Sequence, residues 1–331
     1  MKKSAYIFND GELKRKESTV CFTTEDGSKR YLPIEDLSEI YIFGEVTVSK
    51  KFLKLATQKK ILLHFFNYNE YYTGTYYPRE HYNSGYMFLK QAEYYLDEDK
   101  RKHIALKIIE GSYRNILQVL KYYSTRGKYV NEKIQHIEQL YQRLDYNMSI
   151  VEMMAIEGNI REIYYSAFDV ILNNPDFVFE KRSRRPPQNQ LNTLISFGNS
   201  ILYTIVLSEI YNTHLDPRIS FLHTTNNRRF TLNLDIAEIF KPIIVDRTIF
   251  TLVSKNMLSS KHFDKKMGGI LIKDEGKKIF IQELENKLKT TINYKRLGKQ
   301  VSYRRLIRLE LYKLEKHLIG EELYEPFISQ W

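Results

Sequence analysis

Glu157 lies inside an apolar stretch with helical spacing, Met153-Met154-Ala155-Ile156-Glu157-Gly158-Asn159-Ile160-Arg161. A carboxylate there either pairs with Arg161 at i+4, the favourable order on a helix surface, or serves as an oxygen ligand. Gly158 beside it costs about 1 kcal/mol against alanine in mid-helix, which predicts close backbone approach at that point. His223 ends the apolar run Ile219-Ser220-Phe221-Leu222 and reads either as a satisfied core imidazole or as a ligand. Asp235 and Glu238 follow at i, i+3 in Leu234-Asp235-Ile236-Ala237-Glu238, on one helical face. Two carboxylates so placed repel unless a cation lies near them, although first-turn charge bias alone would also account for Asp235. One imidazole and two or three carboxylates from three segments suit Mg²⁺ or Mn²⁺, the imidazole making manganese acceptable. The single cysteine, Cys21, can form no internal disulfide and no structural zinc site, and implies a reducing compartment.

Positioning these groups falls to a two-part chain of 331 residues. The first part reads as short strands at 4–8, 12–17, 20–24, 29–32, 40–43, 61–67 and 71–77, with one helix at 49–58. Asn9-Asp10-Gly11 and Glu25-Asp26-Gly27 are hairpin signals, because Asp-Gly accepts positive φ. Past a switch at 78–85 the period becomes helical, first at 87–95 and then along Ile104, Ile108, Ser112, Ile116 and Val119. Ser149 and Glu152 form a capping box that starts the helix of Glu157. Further helices are expected at 189–211, from 232 with a bend at Pro242 towards 258, and at the C-terminus through Tyr303, Ile307, Leu311, Leu314 and Leu318. The expected fold class is therefore α+β: a small β domain over 1–84 and a large all-α domain over 85–331.

Hydrophobic residues at 43% and charged residues at 27% exclude wholesale disorder. The 51 Lys and Arg against 40 Asp and Glu leave +11, which favours a polyanion or an anionic surface as partner. The longest apolar stretch, 195–207, falls short of a membrane span of roughly 18 residues. With no signal peptide ahead of the Asn9 turn, the expectation is a soluble cytoplasmic protein. Lys181-Arg182-Ser183-Arg184-Arg185 precedes Pro186-Pro187, which hold the arginines in an extended loop. Arg296, Lys299, Arg304, Arg305 and Arg308 form a second basic stretch, with phosphate contact and simple solvation equally open.

At these residues the sequence resembles the CRISPR-associated spacer-acquisition endonuclease/integrase family, Cas1. The marks are Glu157-Gly158-Asn159-Ile160-Arg161 with Tyr164, Arg184-Arg185-Pro186-Pro187-Gln188-Asn189, Leu194-Ile195-Ser196-Phe197-Gly198-Asn199, Phe221-Leu222-His223, and Leu234-Asp235-Ile236-Ala237-Glu238-Ile239-Phe240-Lys241-Pro242 with Asp246. The resemblance implies an N-terminal β domain serving dimerisation, with Glu157, His223 and Glu238 as catalytic metal ligands and Asp235 as a further candidate. It also implies Mg²⁺ or Mn²⁺, prespacer and CRISPR-repeat DNA as substrates, a homodimer, and a Cas2 dimer as partner. The expected DNA contacts are Arg184, Arg185, Asn189, Arg228, Arg229, Arg304, Arg305 and Arg308. The reaction so implied is attack of a DNA 3′-hydroxyl on a repeat-edge phosphodiester. Two other readings stay open, a non-catalytic basic DNA-binding scaffold and a general structure-specific nuclease.

Overall fold

Short strands, some alternating in burial and others buried in continuous runs, build the first part of the chain. In the computed structural model, which describes residues 3–79, 82, 84–225, 230–266 and 268–330, the chain divides into units Met1–Asn83 and Ser84–Trp331. The strands are β1 (Lys3–Ile7), β2 (Gly11–Lys16), β3 (Thr19–Thr24), β4 (Lys29–Leu32), β5 (Leu37–Ile42), β6 (Val46–Val48), β7 (Leu62–Phe66) and β8 (Tyr72–Tyr76), with helix α1 (Lys50–Lys59). They form two sheets, ordered β1-β5-β7-β8 and β4-β3-β2-β6. Ile7, Ile40 and Leu63 from the first sheet, Leu13, Val20 and Phe22 from the second and Phe52 from α1 share one core.

The Asp26-Gly27 signal does close a hairpin, β3 with β4. Asp10-Gly11 does not. There β1 pairs in parallel with β5 while β2 pairs with β3, so the turn carries the chain from one sheet to the other. Its polar groups are spent on that crossing: Asp10 Oδ1 accepts from Glu45 N at 2.7 Å. A Cβ on Gly11 would stand 2.2 Å from the Thr23 carbonyl oxygen, so only glycine fits.

The second unit contains α2 (Gly85–Leu96), α3 (Glu98–Ser124), α4 (Asn131–Tyr141), α5 (Ile150–Ser166), α6 (Phe168–Leu172), α7 (Gln190–Ile210), α8 (Leu232–Phe240), α9 (Arg247–Ser254), α10 (Asp274–Lys289) and α11 (Tyr303–Leu318). It is mostly helical but not all-α: β9 (Phe263–Lys266) pairs with β10 (Gly269–Ile272), and β11 (Thr291–Tyr294) with β12 (Lys299–Ser302). These four-residue strands show too little alternation to stand out from flanking helices. The capping box at Ser149 and Glu152 is present in both directions. α7 matches the helix expected at 189–211 and has the length and composition of a bilayer-spanning helix, which the apolar stretch 195–207 alone did not suggest, yet 83% of its apolar window is buried within the fold. It is the central helix. A Cβ on Gly198 would stand 2.5 Å from Val245 and 2.8 Å from Phe280, which lets the chain around Val245 lie close against α7. Between α8 and α9, residues Pro242–Asp246 form a π-turn in which Asp246 N donates to Lys241 O. Pro242 lacks the amide that an unbroken α-helix would need there.

Candidate active site

α5, α8 and the loop before α8 bring the singled-out groups together through one arginine. Arg161, a turn beyond Glu157 on α5, is buried rather than on the surface. Its Nη2 donates to Glu157 Oε1 at 3.1 Å, to Ser112 Oγ of α3 at 2.9 Å, and to Glu238 Oε2 of α8. One guanidinium nitrogen therefore stands between the two carboxylates. The other oxygen of Glu238 accepts from Lys241 Nζ, whose ammonium lies 4.9 Å from the centre of the Tyr203 ring. Burial works against ionisation of Glu238, but Lys241 and Arg161 outweigh it and hold the carboxyl below the usual range.

Asp235 is spent differently. It is fully buried, and Oδ2 accepts from Phe221 N at 2.6 Å and Leu222 N at 2.9 Å, while Oδ1 accepts from His223 N at 2.9 Å. The same Oδ1 lies 2.8 Å from His223 Nδ1. With its acceptor positions filled, Asp235 holds the His223 loop in place instead of standing as a ligand. A proton on Nδ1 leaves the lone pair of the neutral ring on Nε2, the tautomer and carboxylate support that metal-ligating histidines use. Burial alone would lower the His223 pKa, but the hydrogen bond and charge of Asp235 outweigh it and raise it above 6.5.

Asp246, at the end of the π-turn, is fully buried against the Tyr164 hydroxyl, and Arg161 Nη1 has no hydrogen-bond partner among the described residues. Burial pushes the Asp246 carboxyl up to about 7 despite the opposing charge of Arg161.

By donor chemistry, two carboxylates and a carboxylate-supported imidazole fit a divalent cation that accepts oxygen and nitrogen. Among the described residues, however, no three His, Cys, Asp or Glu side chains converge as a ready ligand set, since Arg161 and Lys241 occupy the oxygens of Glu238. Among the described residues no neighbour lies within 4 Å of a Cβ built on Gly158, so none of them makes the expected close approach.

The expected DNA contacts divide. Arg184 and Arg185 are exposed, on a loop fixed to the β9–β10 hairpin where Ile270 N donates to Pro187 O at 2.8 Å. Arg305 is also exposed. Arg304 and Arg308 are half-buried: their Nε atoms donate to the two oxygens of buried Glu209 at 2.8 and 2.6 Å, which ties α11 to α7. Asn189 is the N-cap of α7, accepting from Asn192 N at 2.8 Å and donating to Phe179 O at 3.1 Å. Arg228 and Arg229 lie outside the described residues.

The sequence reading passed over Lys241 and Arg182 as site residues. Lys241 carried a signal, an acid and a base at i, i+3 in a helix otherwise apolar. Arg182 carried none; in the fold its guanidinium turns inward to Asn192 Oδ1 at 2.8 Å and Ser196 Oγ at 3.0 Å.

A β unit followed by a mostly helical unit is a fold that this chain has in common with known proteins. The family model for CRISPR associated protein Cas1 matches residues 5–286. A CRISPR-associated endonuclease Cas1 of Thermodesulfovibrio yellowstonii is 55% identical over 331 residues, covering all of both chains. One from Thermotoga maritima is 49% identical over 321 residues, 97% of this chain and 98% of its own. The structure of a Cas1 protein from Thermotoga maritima, 47% identical, superposes with a TM-score of 0.87 over 99% of this chain and all of its own. The chain belongs to the Cas1 family.

Proposed function

We propose that this chain is a metal-dependent DNA endonuclease and integrase that inserts prespacer DNA into a CRISPR array. The observation that carries the reading is the joining of Glu157 and Glu238, from helices α5 and α8, by Arg161, with His223 oriented beside them by Asp235. The names of the relatives, CRISPR-associated endonucleases, support it. Mg²⁺ or Mn²⁺ would be held by Glu157, His223 Nε2 and Glu238. When bound, it would supply charge stabilisation at the phosphate under attack.

The protein's own part is positioning and electrostatics. The 3′-oxygen of the incoming strand forms a new P–O bond while the repeat's P–O bond to its departing 3′-oxygen breaks; one proton leaves the nucleophile and one reaches the leaving group. Arg161 and Lys241, which pair with Glu238 here, would supply positive charge beside the phosphate. Arg184, Arg185 and Arg305 contact the DNA backbone. The β unit serves dimerisation, Cas2 is the bridging partner, and the protein works in the cytoplasm.

The test is strand transfer of a labelled duplex into a repeat-bearing plasmid with Mn²⁺, with and without Cas2. Glu157→Ala, His223→Ala and Glu238→Ala should each abolish transfer and keep most DNA binding. Mn²⁺ should also raise the melting temperature in a way that Glu157→Ala removes. Near-wild-type transfer by one variant removes that residue from the site. No transfer and no Mn²⁺ response in the wild type favours a non-catalytic DNA scaffold, for which the closed ion pairs on Glu238 would be the resting structure.

A further inference from the structure

α3 contributes two buried polar side chains one turn apart that face different parts of the site. Ser112 accepts from Arg161 Nη2, between the two carboxylates. Asn115, with no exposed surface, reaches the next residue after Glu238: its Nδ2 donates to Ile239 O at 2.9 Å. Ile239 lies where the hydrogen-bond ladder of α8 gives way to the five-residue spacing of the π-turn, so this carbonyl sits at a discontinuity. The same Nδ2 donates to Phe327 O at 3.0 Å, and Oδ1 accepts from Ser329 N at 2.8 Å. Three of the four hydrogen-bonding positions of one buried amide thus join α3, the end of α8 and the C-terminal segment.

That segment is neither helix nor strand over 321–330, yet Tyr324 and Ser329 are fully buried and Phe327 nearly so. Buried irregular backbone must have its polar groups satisfied, and here the satisfaction is specific. Buried Glu310 of α11 accepts from Tyr324 Oη at 2.7 Å and from Phe327 N at 3.2 Å. The Phe327 ring stacks on Phe240 at the last residue of α8, 5.8 Å between centres and 7° apart. Gly111 of α3 admits the segment: a Cβ there would stand 2.7 Å from Pro326 and 3.2 Å from Ile239.

We infer that Asn115 is a positioning residue for the ligand-bearing helix α8, and that residues 324–329 are the clamp through which it acts. The inference rests on the proposed function, since it concerns where Glu238 and the Asp235-supported His223 stand for cation binding. The hydrogen bonds of Asn115 go to Ile239, Phe327 and Ser329 and to none of Arg184, Arg185 and Arg305, so its loss should leave nucleic-acid affinity in place.

The experiment uses the full chain carrying Asn115→Asp, which keeps the shape but sets an oxygen against the Ile239 and Phe327 carbonyls. Supporting shells of this kind change metal affinity by about 10- to 100-fold. The expected result is a Mn²⁺ dissociation constant, read by paramagnetic resonance of the free ion, raised at least about tenfold, with kcat for strand transfer lowered by a similar factor and KM for DNA within about twofold. Circular dichroism at the assay temperature should match the wild type. A folded variant whose Mn²⁺ affinity and kcat stay within about twofold of wild type overturns the inference, as does one that loses DNA affinity and activity together at unchanged Mn²⁺ affinity. If Asn115→Asp does not fold, Ser329→Pro, which removes the amide donating to Asn115 together with the buried hydroxyl, carries the test in the same direction, with the same circular dichroism check. Wild-type protein that binds no Mn²⁺ and transfers no strand overturns the proposed function itself.

Discussion

Replacing Asp246 by asparagine isolates the titration of one buried carboxyl. The group has no exposed surface and sits at about 7, against 3.8 for an ordinary aspartate. The native state therefore keeps this proton up to about 7 while the unfolded chain releases it near 3.8. Between those values the unfolded state binds fewer protons, so stability falls as pH rises. A displacement of about three pH units, at about 1.36 kcal/mol each, sets an upper limit of about 4 kcal/mol for the loss. Asparagine has nearly the same shape and does not titrate. Urea unfolding of wild type and Asp246→Asn in chelator, at about pH 4.5, 6 and 8, should give a stability difference, variant minus wild type, that climbs towards the variant by about 2–4 kcal/mol across the range. Taking the difference cancels the other titrating groups. Parallel pH profiles would refute the reasoning: the carboxylate would then be ionised throughout, drawing on Arg161, and that guanidinium would not be left to serve Glu157 and Glu238.

Other outcomes are expected. Arg304→Met with Arg308→Met strands the buried Glu209 carboxylate and should cost about 3–5 kcal/mol in urea unfolding, without changing the salt dependence of DNA binding. Arg184→Ala with Arg185→Ala should flatten the log–log salt slope by up to about two units, measured by anisotropy over about 50–200 mM salt, and an unchanged slope would return that loop to solvent. His223 is held above 6.5, so its ion pair with Asp235 stabilises the native state fully below 6.5 and fades as pH rises through the raised value. Proton competition at the same ring should make Mn²⁺ affinity, by calorimetry, rise over that upper window in the wild type and stay flat in His223→Asn.

Elements that satisfy a local rule were legible in the sequence. The α5 start at Ser149 and Glu152 needs only two side chains and a backbone, and it is present. The α7 start at Asn189 is of the same kind, but the role expected for that residue was DNA contact, and its amide is spent on the cap. Partners distant in the chain were not legible. Nothing near Arg304 and Arg308 announces Glu209, roughly a hundred residues earlier, and nothing near Asn115 announces Ser329. Asp10-Gly11 met the hairpin rule and lost to a competing demand, since β1 lies in parallel beside β5. At the site, spacing placed Asp235 and Glu238 on one face, but their different work depends on three backbone amides and two cations brought in by the fold.

The π-turn at Pro242–Asp246 has a consequence for how this protein can change over generations. Each residue of an α-helix advances the rotation by about 100°, so a segment bonded from i to i+5, with one residue more in its ring, leaves everything after it out of phase with a continuous helix. Deleting one residue between Pro242 and Asp246 would favour healing the ladder into ordinary α-helix, a small local change in chain length. The same deletion would swing the face of α9 by about 100°, drawing Phe250 off the Phe168 ring it meets 4.5 Å away. Among descendants of this sequence gaps should therefore be scarcer across these five positions than in the exposed turn at 25–28.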